Sequence, residues 1–161
     1  MKLAENLSAK QLGRIRRTVG EAFVTNELFH ELGSVEERRP LVMRYMAAYV
    51  DNVYESKSLY MTEDGMAFIG LQESGKVPVF PQLKMLARIF LYLPFGKLKC
   101  MLSQVKDISA YAKQYADKPH IEVLMLAVDK KRRAGDTQDS CLTLQRKCLP
   151  KRDFRSSSAR I

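Results

Sequence analysis

Apolar residues recur along the chain first at three- and four-residue intervals, then in short runs, then at helical intervals again. Leu12, Ile15, Val19 and Phe23 share one face of a helix. Its start is Ser8-Ala9-Lys10-Gln11, a capping box in which the Ser8 hydroxyl accepts from the Gln11 backbone and Gln11 reaches back. Gly20 marks a point where this helix would break. A second capping box, Ser34-Val35-Glu36-Glu37, follows Gly33, a residue suited to the end of a preceding helix. Leu41, Tyr45, Ala48, Tyr49 and Val53 then form a stripe that runs to about Tyr54, with Arg38, Arg39 and Arg44 read as its exposed face. At Ser58 the pattern changes. Leu59-Tyr60-Met61 and Ala67-Phe68-Ile69-Gly70-Leu71 flank Glu63-Asp64-Gly65, and an Asp-Gly pair between apolar runs predicts a hairpin.

Pro78 and Pro81 mark a loop. Helical spacing resumes with Leu83, Leu86, Ile89, Phe90 and Leu93 facing inward, and Pro94-Phe95-Gly96 ends it. A further helix fits Lys97 to about Tyr115, with Leu98, Met101, Leu102, Val105 and Ile108 inward. The methionines there are core filler. After Pro119-His120, the run Ile121-Glu122-Val123-Leu124-Met125-Leu126-Ala127-Val128 is nearly continuous in apolar character. It predicts a central strand buried on both faces. Glu122 is the exception, since a carboxylate in a buried strand is costly unless paired or useful. The order is helix, helix, hairpin, helix, helix, central strand and a basic turn, without repeats. That is a mixed α/β architecture, with helices around a mixed sheet.

Composition narrows the class. A chain of 161 residues with 46% hydrophobic content and a mean hydropathy of −0.25 has material for one cored domain. The longest apolar cluster, Ile89 to Phe95, is far short of a membrane span, and Met1-Lys2-Leu3-Ala4-Glu5-Asn6 lacks the apolar core of a signal peptide. No membrane partner is therefore expected. Cys100, Cys141 and Cys148 are odd in number and have no metal spacing, and the only histidines are His30 and His120. No metal site is expected, and a reducing, cytoplasmic setting is the default. Lys and Arg number 27 against 18 Asp and Glu, a net charge of +9, with Lys130-Lys131-Arg132-Arg133 the tightest cluster. A solvated basic surface is the plainer reading, because no nucleic-acid-binding motif accompanies the charge. A small basic binding module contacting nucleic acid or another polyanion stays as the alternative class, with nucleic acid disfavoured.

Pro119-His120, the strand end Leu126-Ala127-Val128-Asp129 and the following Arg133-Ala134-Gly135 resemble the GNAT superfamily of N-acetyltransferases, as does the element order. The resemblance covers about residues 1–135. It implies an acetyl-CoA co-substrate and transfer of acetyl to an amine of a small-molecule or peptide acceptor. In the family, the strand end offers backbone groups to the pantetheine amides, a part that would fall to Leu126, Ala127 and Val128. The turn that follows presents backbone N–H groups to the pyrophosphate, which would fall to Arg133, Ala134 and Gly135. Some members carry a glutamate base six residues before the valine, here Glu122; the alternative is an acid paired with a nearby Lys or Arg. His120 reads as a packing or hydrogen-bonding residue at the strand start. Tyr45, Tyr49 and Tyr54 read as packing residues in preference to an acceptor pocket.

The likeness stops at the turn. Asp136 stands where the family's loop glycine belongs; moving the register to Arg132 places Gly135 correctly but leaves Thr137 where Gly or Ala belongs. Residues 136–161 have 8 apolar residues in 26, with six basic and three acidic, and read as a basic tail and not as the helix, strand and hairpin that complete the family's fold. The expected fold is thus GNAT-like and truncated after the central strand. The cofactor cleft would lack its second wall, giving weak or absent acetyl-CoA binding, and the exposed sheet edge would favour a homodimer. Codon degeneracy offers an origin. Read one base earlier from the Gly135 codon, the codons for residues 135 to 141 permit Gly-Tyr-Ala-Arg-Leu-Leu, which restores the loop and helix start after Arg133-Ala134-Gly135. The gene's nucleotide sequence checks this frameshift. Its alternative frame is expected to encode a GNAT-like helix and strand, and without them a natively divergent C-terminus is the account that holds.

Overall fold

A computed structural model describes residues 1–73, 78–92, 96, 97, 99 and 120–129. Its elements are β1 (Lys2–Leu3), α1 (Ala9–Phe23), a 3-10 helix (Glu27–Leu32), α2 (Val35–Glu55), β2 (Leu59–Met61), β3 (Ala67–Glu73), α3 (Val79–Tyr92) and β4 (Ile121–Val128). The class is mixed α/β, as the patterning predicts. The helix predicted from Lys97 to about Tyr115, the basic turn, the domain boundary at 135 and the tail 136–161 lie outside the described residues, except for Lys97 and Lys99.

Both capping boxes form. Ser8 Oγ accepts from Gln11 N–H at 3.3 Å while Gln11 Oε1 accepts from Ser8 N–H at 2.9 Å. Ser34 and Glu37 repeat the exchange at 3.3 and 2.9 Å. The hydrogen bonds from Ser34, backbone first, hold the Glu37 carboxyl below its ordinary pKa. Gly33 ends the 3-10 helix with φ +115° and ψ −162°, a conformation open essentially to glycine alone. In the hairpin, Gly65 has φ +64°, and Thr62 Oγ1 gathers the Met66 and Ala67 N–H groups. Gly20 does not break α1. It is buried, and the missing side chain leaves room for Met43 of α2, whose Sδ would lie 2.6 Å from a Cβ there.

The strands pair in the order β1-β2-β3-β4, and every pairing among the described residues is antiparallel. Two sequence expectations are corrected here: the described sheet is antiparallel rather than mixed, and β4 is not buried along its whole length. Among the described residues β4 ends the order, in keeping with the exposed sheet edge expected of it. Its burial is uneven: Ile121 and Val123 are 38% and 40% exposed, whereas Met125 and Ala127 are buried. The first half of β4 pairs with Leu71–Glu73, where β3 itself emerges from the core, so apolar character there does not bring burial. β3 takes the sandwiched place expected of β4, with Ala67, Phe68, Ile69 and Gly70 all buried. The main core joins Ile15 and Val19 of α1, Val42, Met46, Val50 and Val53 of α2, and Phe68, Met125 and Ala127 of the sheet.

α2 is the middle helix. Asp51 on it is 7% exposed and receives Arg16 of α1 on Oδ1 (Nη2 at 2.6 Å, Nε at 2.7 Å) and Arg88 of α3 on Oδ2 (2.6 Å). Lys84–Glu55 adds a second bridge to α3 and Arg39–Glu21 a second to α1. Arg39 and Arg44 are exposed as expected, but Arg38 is not. It is 7% exposed, and its Nε makes no hydrogen bond. Its place on α2, one turn before buried Val42, puts it on the inner face despite its charge. α3 begins at Val79 and so includes Pro81, which the first turn tolerates because its N–H would have no helical acceptor. The inward stripe predicted for α3 is also corrected: Ile89 is buried, but Leu83, Leu86 and Phe90 are 63%, 37% and 56% exposed. The helix turns its Lys84 and Arg88 row towards the acids of α2, and that choice of face leaves the leucines outside. Leu93 lies outside the described residues.

Gly33→Ala would hold a Cβ in a glycine conformation and 2.5 Å from Glu37 Oε2. It is expected to cost about 1–3 kcal/mol in chemical denaturation, with the helical far-UV signal retained.

Candidate functional site

The residues singled out on β4 meet α2 at an irregularity in the sheet. From Val128 to Met125 the pairing with β3 is regular, but Met125 stands opposite Gly70 while Val123 stands opposite Leu71. Leu124 is therefore an extra residue, a β-bulge, of the kind that bends a strand and re-aims its side chains beside functional sites. Gly70 makes the bulge sterically feasible: a Cβ there would meet Val53 Cγ1 at 3.1 Å, Leu124 Cβ at 3.2 Å and Met125 Cγ at 3.3 Å. The Leu124 carbonyl accepts a hydrogen bond from the Tyr49 hydroxyl at 3.3 Å, which ties α2 to the bulge.

Antiparallel alternation decides where the strand's backbone groups point. The Asp129 N–H donates to the Met66 carbonyl at 2.8 Å, so that pair is a hydrogen-bonded one. Two residues on, Ala127 opposite Phe68 and Met125 opposite Gly70 also turn N–H and C=O towards β3. Leu126 and Val128, opposite Ile69 and Ala67, turn theirs to the other edge. Ala127 differs from its two neighbours. Its backbone is engaged with β3 and its side chain is buried, so it supports the strand and does not face that edge.

Glu122 lies two residues before the bulge, opposite Gln72, with its side chain 48% exposed. Its partner is His120, Nε2 to Oε1 at 3.3 Å, in place of the lysine or arginine weighed from sequence. His120 takes the hydrogen-bonding role expected at the strand start. The tyrosines take packing roles. Tyr45 stacks on Tyr49 with centroids 6.2 Å apart and meets Phe29 edge-on at 5.5 Å, and the Tyr54 hydroxyl accepts from Leu7 N–H at 3.1 Å. Burial pushes the Tyr49 phenol up to about 12, with smaller contributions from Tyr45 and the nearby Glu122. Burial also raises Tyr45. Arg133, Ala134 and Gly135 lie outside the described residues, as do Cys100, Cys141 and Cys148.

No helix of the described residues is long and apolar enough to cross a membrane. No family model, no curated protein and no solved structure matches the chain. Sequence reasoning passed over Asp51, although an acid between Val50 and Val53 on a buried helix face is the kind of signal that marks a paired charge.

The raised phenol makes an expectation for alkaline pH. The unfolded chain releases this proton near 10.0, the folded chain near 12, so the unfolded state binds fewer protons between them and stability falls as pH rises through that window. Tyr49→Phe is expected to remove this share of the slope. At neutral pH it should cost about 0.5–1.5 kcal/mol for the lost hydrogen bond. Denaturant melts of both proteins at stepped pH measure both effects.

Proposed function

We propose that the chain is built as an acetyl-CoA-dependent N-acetyltransferase of the GNAT type, transferring acetyl to an amine. The observation that carries this reading is the edge of β4, where Leu126 and Val128 turn N–H and C=O away from β3. Such an edge suits the amides of a pantetheine arm, which needs one donor and one acceptor at each peptide-like step. An arm laid along Val128 and then Leu126 leads its thioester end towards the bulge at Leu124. Glu122 lies two residues further on.

Residues at the bulge have distinct parts. Tyr49 holds the Leu124 carbonyl and stays neutral, so it fixes the strand and does not take protons at ordinary pH. Glu122, half-exposed, would take a proton from the acceptor ammonium; the amine nitrogen then attacks the thioester carbonyl, the C–S bond breaks, and the departing CoA thiolate takes up the proton that the new amide nitrogen loses. His120, within 3.3 Å of it, gives that proton a partner at the solvent side. With no pattern for a second wall after Gly135, binding is expected to be weak.

Thermal unfolding with acetyl-CoA, and thiol release with a panel of amines, test the reading. Acetyl-CoA at concentrations near ~1 mM, the scale of a weak site, is expected to raise the melting temperature. Glu122→Gln should lower turnover by about 10²–10⁴-fold without changing that stabilisation. No stabilisation by acetyl-CoA, together with salt-sensitive retention on DNA, would overturn the proposal in favour of a polyanion-binding module.

A further inference from the structure

Three arginines border one cavity on the helical layer, away from the β4 edge. The cavity has a volume of about 540 Å³, within the ~300–1,000 Å³ typical of small-ligand sites. Arg16 comes from α1, Arg44 from α2 and Arg88 from α3, with Ala47, Ala48, Asp51 and Tyr92 completing its lining. Three positive charges face one negative charge, an excess of two.

The ion pairs of Asp51 account for part of this arrangement. Its two oxygens bind Arg16 and Arg88, which joins three helices and leaves further donors on both guanidiniums. Arg44 has no part in that joint. It is exposed, and among the described residues it makes no ion pair or hydrogen bond. A third guanidinium beside two others is repelled by them, so a purely structural joint gains nothing from it. An anion in the cavity reverses that sign. The Asp51 carboxylate holds Arg16 and Arg88 in place before any ligand arrives, which lowers the ordering cost of binding.

We propose that this cavity binds a phosphate monoester, with the phosphoryl group among Arg16, Arg44 and Arg88 and the organic part against Ala48 and Tyr92. Planar guanidiniums match phosphoryl oxygens in pairs, and the excess charge of two suits a dianion. The site is independent of the acetyl-CoA reading. It lies on other elements and uses none of the β4 residues.

The full chain is titrated calorimetrically with phenyl phosphate and, in parallel, with inorganic phosphate. Phenyl phosphate is expected to bind more tightly than inorganic phosphate, which has no part for Ala48 and Tyr92 to contact. Arg44→Ala should weaken phenyl phosphate by about 10- to 100-fold, the worth of one charge-assisted hydrogen bond. It should also leave the melting temperature unchanged, because Arg44 is exposed and alanine favours a helix. Lys10→Ala, which removes one exposed charge from the first turn of α1, should leave binding unchanged. Acetyl-dephospho-CoA, which lacks the 3′-phosphate monoester of acetyl-CoA, should not displace the ligand. Absence of phenyl phosphate binding, or an equal loss in Lys10→Ala and Arg44→Ala, would overturn the site. So would displacement by acetyl-dephospho-CoA with Arg44→Ala silent, which would put the phosphate in the cofactor's place. Equal affinity for the two probes would overturn the monoester and leave inorganic phosphate as the ligand.

Discussion

One carboxylate carries the arrangement of the helices. Asp51 gives one oxygen to Arg16 and the other to Arg88, so α1 and α3 are both referred to α2 through a single side chain. Removing a partner from a fully buried ion pair costs ~3–5 kcal/mol; with both arginines more than a third exposed, the figure here is nearer ~1–3 kcal/mol. The gain from the ion pairs is as much in geometry as in energy. Apolar contacts between helices tolerate sliding, whereas a carboxylate with two close partners on opposite sides does not. With α2 fixed in this way, its aromatic side, Tyr45 and Tyr49, is delivered to the bulge on β4.

The sheet adds the second constraint. Gly70 lies between Ile69 and Leu71 in β3, and it stands opposite Met125, beside the extra residue Leu124 of β4. Bulge, glycine and Tyr49 hydroxyl form one unit. The glycine gives space, the bulge occupies it and the phenol satisfies the carbonyl that the irregularity turns outward. Regular pairing resumes at Met125, and it is this regularity that lets the direction of the Leu126 and Val128 peptide groups be assigned. The features relevant to chemistry thus depend on a departure from the ladder followed by a return to it.

What the sequence made legible was local. The two capping boxes, the Asp-Gly hairpin and the helical stripe of α2 depend on residues at most a few positions apart, and the structure bears them out. The rest depended on partners remote in sequence. An apolar run such as Ile121–Val128 reads alike whether it lies between two strands or at the end of an order, and its exposed first half follows from where β3 leaves the core. The face that α3 buries does not follow from leucine spacing alone, because Glu55 and Asp51, which draw Lys84 and Arg88 inward, lie on another helix. Arg38 is the opposite case: its charge suggests an exposed face, but its position one turn before Val42 buries it. Of the site, Glu122, Leu126 and Val128 could be named from the strand, but the bulge between them could not, because nothing local distinguishes Leu124 from its neighbours.

α3 is attached unlike the other two helices. Ile89 is its one fully buried apolar side chain among the described residues, and charged groups, Lys84 and Arg88, make up much of the rest of its seam with α2. Among the described residues each seam has two ion pairs, but α1 adds buried Ile15 and Val19 where α3 adds Ile89 and the partly buried Met85, so ion pairs make up a larger share of the cohesion of α3. Ionic strength therefore acts on the two seams unequally: added electrolyte screens the ion pairs within a Debye length of ~8 Å and tightens the apolar contacts by raising the cost of wet apolar surface. In the helical layer, α3 is the part whose attachment loosens first as the surrounding solution becomes saltier.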